Sequence, residues 1–370
     1  MEEVTGSEQS GQATRVRRAF SDQAGYCERL GSPFTALLCR VLGGGLDASS
    51  EVERSILGWP GDASAFGDSV PLRVVGALHY LVRAGRSPDL AALYPPHASP
   101  EPGRLLEAAR TALLEQEPWV REFLQFPPQT NEVGRSAALI AGWLEIATAT
   151  RLTLSLFEIG CSAGLNLIAD RYAYRFGDLH WTPSRDSLGV PRTPADLTVA
   201  CDWKGRRPAI EAPLRIQSRR GCDRHPLDVV DLAQRERLIA YVWADQPERL
   251  ARLEAAIRTM LSKPVPVERS PAADWIQEVV PTTGEPGIAR VVFHSIVWSY
   301  LDSLSQQRIA NHLAKVGATA STDAPLAWLR LELAGKDQPA ELRLTLWPGG
   351  EEQLLARVHP HGRWVRWHSD

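Results

Sequence analysis

The spacing of hydrophobic residues along the chain changes character near residue 150. Before that point apolar residues such as Val16 and Phe20 recur at helical intervals, and Gly and Pro separate the helical stretches. Beyond it, short apolar runs of the kind that form buried strands alternate with helical segments, and the first of them is Leu152 to Gly160. The pattern predicts a helical cap domain over 1–150 and an α/β domain over 151–370.

The second part predicts a parallel sheet, because strands that alternate with helices are joined by crossover connections. The turn Pro348-Gly349-Gly350 is short enough to make the last two strand runs an antiparallel hairpin. We therefore expect an α/β, Rossmann-like, mostly parallel sheet with an antiparallel C-terminal hairpin and an insertion at about 177–214. The later strand runs are Arg290 to His294, Leu326 to Glu332, Glu341 to Trp347 and Glu352 to Val358.

Composition narrows the class of protein. The chain is 44% hydrophobic and 23% charged with a formal net charge of −3, which excludes a disordered or fibrous protein and gives no basic field for nucleic acid. Its first residues lack the features of a secretory signal, and its five scattered cysteines favour reduced thiols over a structural metal site. We expect a cytoplasmic protein that acts on a small molecule, with no nucleic-acid, membrane or metal partner; its oligomeric state stays open.

The most informative segment follows the first predicted strand. Gly160 permits a tight turn, and the small Ser162 and Gly164 let a ligand approach the backbone before a helical stretch that runs to about Tyr172. Glu158 lies two residues before the turn, within reach of a ligand amine. The segment resembles motif I of S-adenosylmethionine (SAM) methyltransferases, with Ser162 in place of the middle glycine. The candidate cofactor-binding residues here are Glu158, Gly160, Ser162, Gly164 and Asn166.

The same letters also fit the nucleophile elbow of α/β hydrolases, G-x-S-x-G, again between strand and helix. Ser162 would then be the nucleophile, with Asp302 or Asp323 as the orienting acid and His359 or His361 as the base. Hydrolase elbows follow several earlier strands, whereas about 150 helical residues come first here. A methyltransferase-like site is favoured, and the hydrolase stays an alternative.

Two further segments supply candidate side chains at the carboxyl edge of the sheet. Asp223, at the end of the second strand, is the candidate for the acid that accepts both ribose hydroxyls, although it could equally cap a helix. His294, at the end of the fourth strand, is the candidate general base, and His225 is the second choice. A structural His294 bonded to a carbonyl is an equally good interpretation.

The segment ahead of the first strand is a candidate lid. Asn131 and Arg135 lie just before the helix that leads into the sheet, and their amide and guanidinium groups could hold a cofactor carboxylate. Capping of that helix is the structural alternative. The pair His359 and His361 lacks a nearby third ligand, so it predicts no metal site.

Five segments in this order together resemble an uncharacterised bacterial family, catalogued as a domain of unknown function with the number 2332. The resemblance covers nearly the whole chain and implies a Rossmann core like that of class I SAM methyltransferases. In such enzymes SAM is converted to S-adenosylhomocysteine when its methyl group is transferred. It brings no agreed substrate. The segments are QTNEVGR, EIGCSAGLNLIADRYAYRFGD, RRGCDRHPLDVVD, VFHSIVWSYL and HPHGRWVRW.

One departure from methyltransferases concerns adenine. After the third strand they often have an Asp that meets the adenine amine, and here Pro271 stands at that position. Either Asp274 takes the role of that Asp or adenine is held in another way. The expected function is SAM-dependent methyl transfer to a hydroxyl or carboxylate of a small metabolite. The alternatives are a non-catalytic SAM- or nucleotide-binding protein and the serine hydrolase.

Overall fold

The structure is a computed structural model that describes residues 6–97, 99–183, 196–335 and 338–368. The expected insertion at 177–214 therefore lies partly outside the described residues. By their contacts the residues form two units, one of 1–130 with 232–250 and one of 131–231 with 251–370. The helices are α1 (Gly6–Arg29), α2 (Pro33–Gly45), α3 (Glu51–Leu57), α4 (Val70–Arg83), α5 (Pro88–Ala91), α6 (Pro102–Glu115), α7 (Glu117–Leu124), α8 (Ser136–Thr150), α9 (Leu232–Ala240), α10 (Pro247–Ser262), α11 (Ala272–Val279) and α12 (Ser303–Ala318).

The first unit contains helices and no strand among its described residues. Helix α2 begins at Pro33, and Asp245 caps it by accepting a hydrogen bond from the main-chain N–H of Phe34 at 2.8 Å. Helix α4 packs closely on the segment after α9, because a Cβ at Gly76 would lie 2.7 Å from the Tyr241 ring. Apolar residues from α1 to α7 share one core with Tyr241 and Trp243. No described helix in either unit is long and apolar enough to cross a membrane.

The second unit is built on one sheet in the order β3-β2-β4-β11-β10-β9-β8-β7-β1-β5-β6. The five neighbouring strands β8-β7-β1-β5-β6 are all parallel to one another. The neighbours β8, β9, β10 and β11 instead alternate in direction. An α/β fold with a mostly parallel sheet and an antiparallel hairpin is thus confirmed. The strands are β1 (Thr153–Ile159), β2 (Ala173–Phe176), β3 (Leu179–Trp181), β4 (Thr198–Gly205), β5 (Ile216–Asp223), β6 (Glu268–Arg269), β7 (Ile288–Ser295), β8 (Leu326–Leu333), β9 (Ala340–Trp347), β10 (Glu352–Val358) and β11 (Trp364–Trp367).

Helices cover both faces of the central strands. Trp143 of α8 packs edge-on against Phe293 of β7, with ring centroids 5.2 Å apart. Val292, the preceding residue, belongs instead to the core formed with α11 and α12, because successive side chains of a strand point to opposite faces. Glu158 on β1 alternates with Phe157 in the same way, so its carboxyl group lies on the α8 face.

The structure corrects the expected helix after the glycine turn. Residues 161–168 form turns, and only a short 3-10 helix at Ala169–Arg171 follows. The contact that accompanies this turn is remote in sequence: the main-chain N–H of Leu165 donates to the side chain of Asn131 at 2.9 Å rather than to the i−4 carbonyl of a helix. The turn therefore has no helix dipole behind it.

Two other expectations needed adjustment. Asn131 does not cap α8, which begins at Ser136 after a 3-10 turn at Val133–Arg135. Strand β11 is absent from the predicted set; it has only four residues and pairs antiparallel with the preceding β10 and in parallel with β4, which is far away in sequence.

Candidate functional site

The glycine turn lies where the order of the parallel strands changes direction. In the sheet, β5 and β6 lie on one side of β1, and β7 and β8, which come later in the chain, lie on the other side. Open α/β sheets bind ligands in the crevice at the carboxyl ends of the strands at such a point. Gly160, directly after β1, and Ser295, at the end of β7, border this crevice.

Close packing fixes the shape of the turn. Gly160 has φ +66°, and a Cβ there would lie only 2.2 Å from Cγ2 of Val297. Ser162 and Gly164 are also left-handed, with φ +53° and +73°. For Ser162 this conformation costs roughly 1–2 kcal/mol, which the surroundings must offset.

Asp223 and Asn131 hold the turn from either side. Oδ2 of Asp223 accepts from the main-chain N–H of Ser162 at 2.9 Å, and its Oδ1 accepts from that of His225 at 2.8 Å. Oδ1 of Asn131 accepts from the N–H of Leu165 at 2.9 Å. The structure thus brings both predicted residues to the turn, where they organise the backbone.

Three buried polar atoms around the turn have no hydrogen-bond partner among the described residues. They are Oε2 of Glu158, Oγ of Ser162 and Oδ1 of Asn166, on side chains that are 1%, 3% and 1% exposed. Each such atom costs about 1–3 kcal/mol if it stays unpaired. A cluster of unpaired buried oxygens at the switch point of a sheet is a mark of a binding site, because a ligand or water would satisfy them.

The surroundings of Glu158 raise the pKa of its carboxyl group. Burial raises its pKa well above the usual range, and the negative charge of Asp223 raises it further, while Arg135 acts in the opposite direction. Burial also raises the pKa values of the neighbouring Cys161 and Tyr172. A ligand that brings positive charge to Glu158 would stabilise its ionised form.

The guanidinium group of Arg135 is held by two main-chain carbonyl groups. Its Nε donates to the carbonyl of Pro360 at 2.9 Å and its Nη1 to the carbonyl of Ser295 at 3.1 Å. The backbones also meet, since a Cβ at Gly362 would lie 2.0 Å from the carbonyl oxygen of Gly134. The turn at 359–362 therefore fixes the candidate lid against the end of β7.

His294 is fully buried and both of its ring nitrogens are engaged. Nε2 accepts a hydrogen bond from Nε1 of Trp328 at 3.2 Å, so Nδ1 carries the proton and donates to Glu332 across 2.6 Å. The ring also stacks on Trp298 with centroids 5.2 Å apart. In this arrangement the side chain supports the loop after β7, and its role as a base stays a prediction.

His225 differs from His294 in its surroundings. It lies two residues after the end of β5, its main-chain N–H donates to Asp223, and its side chain is exposed. Of the two candidate histidines it is the one whose ring is accessible to a substrate.

Sequence reasoning missed Glu332. Its Oε1 accepts from the N–H of Val297 at 3.1 Å and its Oε2 from the N–H of Trp298 at 3.2 Å, in addition to His294. The carboxylate thereby positions Val297 against Gly160. A charged residue at the end of the apolar strand β8 was the available signal.

The hydrolase alternative lacks its essential contact. Oγ of Ser162 has no hydrogen-bond partner among the described residues, and therefore no histidine to activate it. Asp302 caps α12 by accepting from the N–H of Ser305 at 2.8 Å, and Asp323 precedes β8 at the opposite edge of the sheet.

Within the described parts of the chain, no group of three or more His, Cys, Asp or Glu residues could hold a metal ion.

Comparison with known proteins gives one match. A family model described as "Uncharacterized protein conserved in bacteria (DUF2332)" matches residues 17–367. No curated protein and no solved structure matches the chain.

Proposed function

The chain belongs to the DUF2332 family of bacterial proteins, and we propose that it binds SAM at the glycine turn and transfers the methyl group to a small metabolite. The observation that carries the proposal is the cluster of unpaired oxygens of Glu158, Ser162 and Asn166 at the switch point of the sheet. A nucleoside cofactor with an ammonium group and hydroxyl groups supplies the donors that these atoms lack.

The residues present fit such a cofactor. Glu158 would hold the positively charged amine, because an opposite charge favours the ionised form of a buried carboxyl group. Ser162 and Asn166 would accept hydrogen bonds from hydroxyl or amine groups. Asp223 would accept ribose hydroxyls in addition to its two main-chain donors, because a carboxylate has about four lone-pair sites.

When bound, SAM supplies a methyl group on a sulfonium centre, which is already activated for in-line displacement. The chain's own contribution is then alignment of the acceptor, which alone lowers barriers substantially. Glu332 and His294 contribute by fixing the loop after β7. Arg135 fixes the lid segment to the end of that strand.

The geometry around His294 favours a carboxylate acceptor over a hydroxyl. A hydroxyl group needs a base, and His294 accepts from Trp328 at the only nitrogen that could take the proton. An ionised carboxylate needs no base. If the acceptor is a hydroxyl, the exposed His225 is the group that remains beside the turn.

The alternative of a non-catalytic binding protein rests on the same turn and predicts SAM affinity without turnover. Calorimetry with SAM and S-adenosylhomocysteine tests the shared part. We expect binding by the wild type, weaker binding by Glu158→Gln, and wild-type binding by Glu278→Gln, a matched change at an exposed site on α11.

Labelled methyl transfer to a panel of small carboxylic acids and alcohols then tests catalysis. Transfer to an acid supports the proposal, whereas SAM affinity without transfer to any member supports the binding protein. Absence of SAM affinity in the wild type would overturn both.

A further inference from the structure

A cavity lies at the amino-terminal end of β1, opposite the glycine turn. It has a volume of about 630 Å³, within the range of pockets that hold small ligands. Its lining comes from the end of α8, from Leu179 at the start of β3, and from the segment 207–213 ahead of β5. Since β1 has seven residues, this cavity lies about 20 Å from the glycine turn. It is therefore separate from the candidate SAM site.

The walls of this amino-edge cavity are largely apolar. Leu179, Ile210 and Pro213 line it, whereas its charged residues are Arg151, Arg207 and Glu211. Two guanidinium groups and one carboxylate give the lining a net charge of +1. The combination of apolar wall and excess positive charge suits a ligand with an apolar body and one negative charge.

The two arginines are unengaged. Neither Arg151 nor Arg207 has a side-chain hydrogen bond or ion pair with any residue that the structure describes. The neighbouring Arg206 differs, because its Nη2 donates to Oε2 of Glu145 at 2.9 Å and its guanidinium lies over Trp367. Glu145 therefore pairs with Arg206, whereas Arg207 pairs with no described carboxylate and is available to an anion.

The backbone of Arg151 adds a second observation. Arg151 ends α8 with φ +58°, a left-handed conformation at a position where glycine is the usual residue. An arginine there costs roughly 1–2 kcal/mol of strain, and its side chain lines the cavity. Strain kept at a cavity-lining residue is a pointer to function.

We propose that the amino-edge cavity binds a small amphipathic monocarboxylate, such as a free medium-chain fatty acid, through Arg151 and Arg207. The carboxylate pairs with the two guanidinium groups, and the alkyl chain lies against Leu179, Ile210 and Pro213. The proposal does not depend on SAM, because the two sites lie at opposite ends of the strand.

Calorimetry of the full chain with octanoate tests this site. We expect octanoate to bind more tightly than the neutral octanamide, and octylammonium to show no binding. Affinity should rise by about fourfold per methylene from hexanoate to decanoate, the ratio that corresponds to about 0.8 kcal/mol. Arg151→Gln and Arg207→Gln should each weaken octanoate binding by about tenfold. Arg258→Gln, an exposed arginine on α10, is the matched control and should bind as the wild type does.

A glycine variant separates binding from folding. Arg151→Gly relieves the left-handed strain, so it should unfold at a higher urea concentration and yet bind octanoate less tightly. Equal affinity for octanoate and octanamide, or unchanged affinity in both glutamine variants, would overturn the proposal. Neither result would bear on SAM binding at the glycine turn.

Discussion

Nδ1 of His294 lies 2.6 Å from Oε1 of Glu332, and the same carboxylate holds the main-chain N–H groups of the loop after β7. The pair links two neighbouring strands at the carboxyl edge of the sheet. Its effect on the site is indirect: it sets the position of Val297, whose side chain packs on Gly160.

His294→Ala tests whether this pair supports the loop. The variant removes a fully buried ring and one of the three donors of Glu332, so we expect a loss of about 2–5 kcal/mol in the free energy of unfolding. Ligand affinity should fall together with any turnover. Urea unfolding and calorimetry measure both. A drop of about 10²–10⁴ in turnover with unchanged stability and SAM affinity would instead identify His294 as the base.

Gly160→Ala tests the close approach to Val297. The left-handed φ costs roughly 1–2 kcal/mol and the clash about 1–3 kcal/mol more, because the neighbouring side chain must move. Gly177→Ala is the matched control: its φ is +59°, but the nearest atom to a Cβ lies 3.8 Å away. Urea unfolding should therefore show a larger loss for Gly160→Ala, and equal losses would contradict the packing assigned to Val297.

Glu158→Gln tests the raised pKa. Because burial raises the pKa of Glu158, the folded protein binds this proton more tightly than the unfolded chain does. The contribution of this difference to the free energy of unfolding is therefore fully present below the ordinary glutamate pKa of about 4.3. It is lost as the pH rises from there through the pKa of the folded state. The glutamine variant should therefore gain stability relative to the wild type across that range.

The control for this pH dependence is the difference in unfolding free energy between wild type and variant at each pH, which removes the titration of other groups. Glu278→Gln should leave the profile unchanged, because its side chain is exposed. Saturating SAM should raise the free energy of unfolding of the wild type most at high pH, where Glu158 is ionised. A pH-independent difference between wild type and Glu158→Gln would contradict the raised pKa.

Ser162→Ala and Ser162→Gly separate the candidate roles of the serine. Alanine removes a buried hydroxyl that has no partner among the described residues, so the free protein should gain up to about 1–3 kcal/mol in stability while SAM affinity falls modestly. Glycine removes the cost of φ +53° as well and should be more stable than alanine by roughly 1–2 kcal/mol. Labelling of Ser162 by a fluorophosphonate probe would support the serine hydrolase alternative, because such probes react with activated serine nucleophiles.

Local patterns predicted the buried strands well. Strand β10 has the predicted bounds, and β7, β8 and β9 extend the predicted runs by one or a few residues. Apolar runs between Gly and Pro signals carry this information in the sequence itself. The placement of Glu158 and Asp223 at neighbouring strand ends followed from the same patterns.

What escaped prediction depends on remote contacts. The segment after Gly164 looked helical, but Asn131 takes the N–H of Leu165, and no pattern near residue 165 shows this. The engagement of His294 by Trp328 and Glu332 requires the parallel register of β7 with β8, which is set by the whole sheet. Side-chain partners across strands therefore decided the chemistry of the site.

The bond from Arg135 to the carbonyl of Pro360 spans 225 positions of the chain. During synthesis the lid segment leaves the ribosome long before its anchor exists. At typical elongation rates the delay is roughly 10–45 s. Over that interval a nascent chain can pair β1 with β5 and β7, yet Arg135 still lacks the carbonyl that its Nε will meet. Ligand binding should therefore arise late in biosynthesis, and ribosome-bound chains stalled before residue 360 should be unable to retain the cofactor.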